Sequence, residues 1–167
     1  GYKVGVIGTI NYRFNGKVFD NPVTTPESLD LQRILAEMAA EKITHVVMEV
    51  SSHAIDLGRI DHCWTDVGVF TNLTQDHLDY HGDMERYWAC KRRFFTEHLI
   101  SGPKKDYAKA VVNCNEKRGK LLFAEFPLNG LSVGKSPLNM VYAENIQMDL
   151  TGIRCAIVTP YGQFDIR

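Results

Sequence analysis

Residues 71–82 read TNLTQDHLDYHG, a stretch dense in Asp and His that follows the apolar run DVGVFT at 66–71 and precedes a segment of helical periodicity. Apolar strand, polar loop and helix in that order make half of a strand–helix–strand unit, so this stretch sets the reading of the chain. From Asp83 onward Met84, Tyr87, Trp88, Phe94, Phe95 and His98 recur at helical three- and four-residue spacings, and Lys91 falls on the same stripe. An ammonium on an apolar face is costly unless it is paired or neutralised. A loop of carboxylates and imidazoles just before such a lysine points to a metal and phosphate site. Taken singly, the loop reads equally as a solvated turn held by Asx-type hydrogen bonds, and the lysine as a buried stem with its amine in water.

Upstream, residues 3–9 read as a buried strand and residues 11–23 as a loop or short hairpin turning at Asn15-Gly16. Thr25 is placed to cap a helix, Pro26 suits its first position, and Leu31, Ile34, Leu35, Met38 and Ala39 form its apolar face. THVVMEV at 44–50 is a second buried strand, the run at 66–71 a third, and KAVVN at 109–113 a further one. This alternation predicts an α/β fold, a mostly parallel sheet flanked by helices. Ligands of such sheets bind at the carboxyl ends of the strands, which places Glu49, Ser51, Ser52 and His53 with Asn72, Asp76 and His77 on one rim. Beyond Leu131, alternating segments at 140–148, 152–159 and 163–167, separated by Thr151-Gly152 and Pro160-Tyr161-Gly162, predict a small antiparallel sheet near the C-terminus.

With 167 residues, 44% of them hydrophobic, the chain can bury one core, and one domain is the default reading. A formal net charge of -1 gives no compositional case for a nucleic-acid partner; local basic clusters such as Lys91-Arg92-Arg93 and Lys104-Lys105 remain, the latter reading as solvated surface. The four cysteines, Cys63, Cys90, Cys114 and Cys155, show neither a CxxC pair nor a zinc spacing, which fits free thiols in a reducing cytosol. No apolar run is long enough for a membrane span, and GYKVGVIGT lacks the features of a signal peptide, so the expectation is a cytoplasmic protein with no membrane partner. Both ends read as strands cut through, which suggests a piece of a longer chain.

Glu49 closes an otherwise apolar strand, where a carboxylate needs a cation; a magnesium ligand is the preferred role, with pairing to a backbone amide or an arginine as the alternative. His77 is placed at the rim as metal ligand, loop cap or satisfied polar residue. Ser51-Ser52-His53 is not a hydrolytic pair, because adjacent residues rarely reach the geometry and no GxSxG elbow is present. Hydroxyls and backbone amides there, with Arg59, make a better anion or carboxylate clamp. Thr24-Thr25 offers hydroxyls at a helix start, for an anion or for plain capping. No GxxxxGK[ST] sequence occurs, so the chain by itself lacks the usual triphosphate cradle.

TTPESLDLQ, VVMEVSSHAIDLGRI, FTNLTQDHLDYHGDMERYWACKRRFF and VVN with Asn115-Glu116 together closely resemble the central domain of the Mur ligases over essentially the whole chain. EVSSH and TNLTQDHLDYHGDM are specific to the member that adds the third peptide residue to UDP-N-acetylmuramoyl-L-alanyl-D-glutamate. The resemblance implies a P-loop NTPase-like central domain lacking its first strand and phosphate loop, with the UDP-binding and amino-acid-binding domains outside residues 1–167. It implies ATP and Mg2+ as cofactors, and a UDP-N-acetylmuramoyl-dipeptide and an amino acid as partners of a monomeric cytoplasmic enzyme. It implies that a carboxylate is phosphorylated by ATP to an acyl phosphate, which the amine of the amino acid attacks to form an amide with release of ADP and phosphate. By motif, Glu49 and His77 would be magnesium ligands. Lys91 would become a carbamate that holds a second ion, a reaction that needs the neutral amine favoured by burial. These three would be the catalytic set, Thr24, Thr25, Ser51 and Arg59 would contact the UDP-muramoyl-dipeptide, and Asn72 would contact the nucleotide.

Where some members carry a glutamine two residues before that arginine, this chain has Leu57. The isolated piece is expected to be inactive. The alternatives are a folylpolyglutamate synthetase-like ligase, against which EVSSHAIDLGR argues, and a non-catalytic nucleotide-sugar-binding domain. Diaminopimelate and lysine as the added amino acid are not distinguished.

Overall fold

Asn15 and Gly16 both take positive φ, 48° and 75°, and join β2 (Asn11–Phe14) to β3 (Lys17–Asp20) through the tight turn their sequence predicts. The computed structural model describes residues 1–126, 129–150 and 152–167. It divides into two compact units, Gly1–Cys63 with His81–Arg93, and Trp64–Tyr80 with Phe94–Arg167.

In the first unit, β1 (Val4–Ile7) pairs antiparallel with β2 and parallel with β4 (His45–Met48), giving the order β3-β2-β1-β4. Helix α1 (Ser28–Ala40) buries Leu31, Ile34 and Met38. Leu35 is half-buried and Ala39 exposed, so the buried stripe is narrower than the sequence predicts. Thr25 is not its cap. The N-cap is Glu27, with no side-chain hydrogen bond, because the Thr25 hydroxyl is engaged at the end of β4. Nor is β4 buried: it ends its sheet, with Val46 and Val47 40% and 61% exposed. Helix α2 (Ser52–Asp56) follows at once.

In the second unit, β5 (Val67–Phe70), β6 (Lys109–Asn113), β7 (Gly130–Gly134) and β8 (Val141–Asp149) run parallel. β9 (Gly152–Thr159) and β10 (Gly162–Ile166) then continue the same six-stranded sheet antiparallel. The α/β class and the antiparallel C-terminal strands agree with the sequence; Thr151, part of one expected separator, lies outside the described residues. Strand β7 and helix α5 (Lys117–Ala124) were not anticipated. Among the described residues the strands form two sheets rather than one, with β4 and β5 each at an edge.

After β5 come α3 (Leu78–His81) and α4 (Met84–Arg93). The single helix expected from Asp83 onward is instead α-helical only to Arg93, and residues Phe94–His98 form a π-helical turn. The wider turn, closed by Leu99 N–H donating to Phe94 C=O at 2.8 Å, lets adjacent phenylalanines both be buried with their rings edge-on at 5.1 Å. Among the described residues no helix is long and apolar enough to cross a membrane.

Candidate functional site

Glu49 leaves the end of β4, where its N–H donates to Ile7 C=O at 2.9 Å. Its residue is exposed rather than buried, so the carboxylate does not need a cation merely to offset burial. One oxygen is held in place: Oε2 accepts from the Thr9 hydroxyl at 2.8 Å and from the Thr9 N–H at 3.2 Å. Because the single Thr9 hydroxyl proton goes to Glu49, the 3.0 Å contact between Thr9 and Thr24 has Thr24 as donor. Thr25, fully buried, donates to the Glu49 carbonyl at 3.0 Å and accepts from Ser51 N–H at 3.1 Å. The Ser51 hydroxyl in turn accepts from Ala54 N–H at 3.2 Å and caps α2. The three threonines, Ser51 and Glu49 are thus one hydrogen-bonded cluster, most of whose donors are spent internally.

Arg59 joins the cluster and is the exception. Its side chain is 15% exposed; it donates to Thr25 C=O at 3.1 Å and pairs with Glu27 at 2.5 Å. Its Nε–H is buried with no hydrogen-bond partner. A buried donor left unmade costs about 1–3 kcal/mol, and no acceptor for this one is found among the described residues. Leu57 is 56% exposed and contributes no polar group beside it.

Lys91 lies in the same unit. It is half-buried rather than buried, and its ammonium sits 5.1 Å from the centroid of the Tyr87 ring, which gives the cation a partner on the otherwise apolar face. Cys90 beside it is buried. Desolvation, the largest cause, pushes its thiol above the usual range, with Asp56 adding to the shift and Arg93 and Lys91 opposing it. The thiol therefore keeps its proton and donates to Ser52 C=O at 3.1 Å.

His77 and Asn72 lie in the second unit, after the carboxyl end of β5. His77 takes φ 55°, uncommon for a residue with a Cβ, and its N–H donates to the Asp76 carboxylate at 2.8 Å. Asn72 lines a cavity of about 440 Å³ with Thr71, Asn113, Asn115, Arg118 and Lys135. That volume falls in the range of small-molecule sites. The Asn113 amide donates to Thr71 C=O at 2.8 Å and accepts from Asn115 N–H at 3.0 Å, which ties the β5 and β6 ends together. Gly119 is where α5 meets that strand end, since a Cβ there would lie 1.9 Å from the Asn113 carbonyl oxygen. Of this cavity the sequence pointed to Asn72 alone. Asn113 and Asn115 carried a signal in the VVN motif, but Arg118 and Lys135 carried none.

The structure thus brings Glu49, Thr24, Thr25, Ser51 and Arg59 together in one unit, with Lys91 on a helix of that unit, and places His77 and Asn72 in the other. Among the described residues no three or more His, Cys, Asp or Glu side chains gather to hold a metal ion. A carboxylate flanked by hydroxyls is a hard oxygen set that fits magnesium, which keeps much of its shell as water and phosphate oxygen.

Residues 1–167 match the family described as Mur ligase middle domain. The UDP-N-acetylmuramoyl-L-alanyl-D-glutamate--2,6-diaminopimelate ligase of Geobacter metallireducens is 48% identical over 162 residues, 97% of this chain and 32% of that protein. A solved structure of a UDP-N-acetylmuramoyl-L-alanyl-D-glutamate--2,6-diaminopimelate ligase superposes with a TM-score of 0.83 at 26% identity, covering 99% of this chain and 33% of that one. An FPGS–AMPPCP complex superposes with a TM-score of 0.60 at 13% identity, over 99% of this chain and 47% of that one, a likeness of fold alone. The chain spans about a third of the length of the curated relatives it matches.

Proposed function

We propose, on the premise that the chain belongs to the Mur ligase middle-domain family, that it is part of an ATP-dependent ligase of peptidoglycan precursor synthesis in the cytoplasm. The ligase joins an amino acid to UDP-N-acetylmuramoyl-L-alanyl-D-glutamate through an acyl phosphate. The names of the relatives support 2,6-diaminopimelate as that amino acid. The observation that carries the reading is the cluster at the end of β4, where an oriented carboxylate, Glu49, stands beside a buried guanidinium with an unused donor.

In this reading Arg59 accepts an anionic group of the UDP-muramoyl-dipeptide on its Nε–H, with Thr24, Thr25 and Ser51 shaping the approach. Glu49 in the first unit and His77 in the second would each serve as magnesium ligands, and Lys91, as its carbamate, would hold a second ion. Magnesium, when bound, neutralises phosphate charge during transfer. The amide-lined cavity takes the nucleotide, with hydrogen bonds from Asn72 and Asn115 and the positive charges of Arg118 and Lys135.

The test is ADP release by the full-length protein given ATP, magnesium and UDP-N-acetylmuramoyl-L-alanyl-D-glutamate, with 2,6-diaminopimelate and L-lysine supplied separately. Release that depends on 2,6-diaminopimelate is expected. Release only with lysine overturns the amino-acid assignment, and release only with a folate and glutamate overturns the substrate.

A further inference from the structure

Ser52 and His81 are buried, 1% and 8% exposed, and the proposed chemistry uses neither. His81 Nε2 and the Ser52 hydroxyl meet at 2.9 Å across a sequence separation of 29 residues. A buried imidazole and a buried hydroxyl are each expensive without a partner, and apolar side chains could fill the same space at no polar cost. What the polar pair adds is a directional link between two particular segments.

The segments are the two that carry Glu49 and Lys91. Ser52 opens α2, directly after the Glu49-Val50-Ser51 turn whose ends Thr25 holds. On the other side, His81 stacks on the Tyr87 ring at 5.2 Å with 26° between planes, and the Tyr87 ring carries the Lys91 ammonium at 5.1 Å. The Ser52 carbonyl accepts a second bond from the same stretch, the 3.1 Å contact from Cys90 Sγ. Ser52 is therefore gripped twice, through hydroxyl and carbonyl, by residues that flank Tyr87 in sequence. Every member of this path lies in one unit.

We infer that Ser52 and His81 are positioning residues that fix the separation between the Glu49 carboxylate and the Lys91 amine. The inference rests on the reading of both groups as magnesium holders, Glu49 for one ion and Lys91, as its carbamate, for the second. Losing the hydroxyl–imidazole bond uncouples the start of α2 from His81 at the end of α3, although the Cys90 thiol still holds the Ser52 carbonyl; His81 no longer fixes the Tyr87 ring, and Lys91 shifts with it. Residues that orient ligands in this way typically cost about 10- to 100-fold in metal affinity or activity when changed.

The experiment uses the full-length protein and the variants Ser52→Ala, His81→Leu and His81→Gln, the last keeping a nitrogen at similar reach. Three quantities are read, with the KM for ATP as a control: kcat and the magnesium dependence of ADP release, and the rate at which an amine-acylating reagent labels Lys91, followed by mass spectrometry. Ser52→Ala and His81→Leu are expected to lower kcat and raise the half-saturating magnesium by about tenfold each, to leave the KM for ATP within about twofold, and to label faster at Lys91. His81→Gln should recover most of kcat. Folded variants with unchanged kcat, magnesium dependence and labelling overturn the inference; should His81→Leu not fold, the milder Ser52→Ala carries the test. If the unaltered protein releases no ADP but the variants still label faster, the positioning stands and the proposed reaction falls. If it is active and the variants match it in all three readings, the reverse holds.

Discussion

The end of β4, in a four-stranded and mostly antiparallel sheet, and the end of β5, in a six-stranded and mostly parallel one, are both carboxyl ends of edge strands, yet their polar groups are used differently. Around Glu49 nearly every hydroxyl and amide is bonded within the chain, through Thr9, Thr24, Thr25 and Ser51, and one buried N–H of Arg59 is left over. Around Asn72 the amides and cations instead line an open cavity of about 440 Å³. The first region is a rigid mount for a few charged groups, and the second is a cleft with room for a whole ligand. Changes in the mount should therefore be felt in stability as well as in chemistry, and changes in the cleft mainly in binding.

The sharpest break would come at Lys91. In the full-length protein Lys91→Ala is expected to lower ADP release at least a thousandfold, about 4 kcal/mol of barrier. It should leave the thermal midpoint nearly unchanged, since the contact with Tyr87 contributes only about 0.5–1 kcal/mol at a partly exposed site. Near-normal turnover would remove Lys91 from the chemistry. Next in size is Thr25→Val, which keeps the shape and removes two hydrogen bonds of a fully buried hydroxyl. A loss of about 2 kcal/mol, read as a lower denaturation midpoint, is expected. A neutral result would mean that the mount is not held together as described.

The cleft supplies the contrast. Asn115→Ala should raise the KM for ATP about tenfold, near 1.4 kcal/mol, with no change in magnesium dependence and a smaller loss of stability than Thr25→Val, since only one exposed hydrogen bond, from Lys135 N–H, is removed. Arg59→Lys, which keeps the charge but removes the Nε–H, should instead raise the KM of the UDP-muramoyl-dipeptide by a similar factor and spare ATP. If the two variants exchange phenotypes, the assignment of mount and cleft is inverted.

The smallest effect belongs to the hairpin tip. Hydrogen bonds from Lys17 and Asn15, in that order, hold the Glu41 carboxyl below its ordinary 4.5. A lowered folded-state value means that the contribution is present above the unfolded value and is lost as pH falls from 4.5 through the folded value. Glu41→Gln should therefore flatten the acid limb of a stability–pH profile slightly and leave neutral pH almost untouched, because the pair is exposed and screened.

How much of this was legible differs by element. The Asn15-Gly16 turn and the KAVVN strand stand where the sequence places them, because turn chemistry and a short apolar run are local properties. The cap of α1 is not legible for the opposite reason: the Thr25 hydroxyl finds better partners 24 and 26 residues away than the helix start beside it. The π-helical turn at Phe94–His98 has no local signature either, since it arises from burying two adjacent rings at once. Strand β7, GLSVG, was missed because two glycines dilute its pattern and pairing with β6 supplies the order.

By itself the sequence determined the α/β class, the antiparallel C-terminal strands and the motifs that carry the family resemblance, because periodicity and short motifs are written along the chain. Only the tertiary structure decided that Lys91 rests on Tyr87 half-buried, that Arg59 holds an unused buried donor, and that Asn113 and Asn115 join Asn72 around one cavity. Each of those facts depends on distance and solvent access between residues far apart in sequence, and these are set by packing and strand pairing rather than by neighbours along the chain.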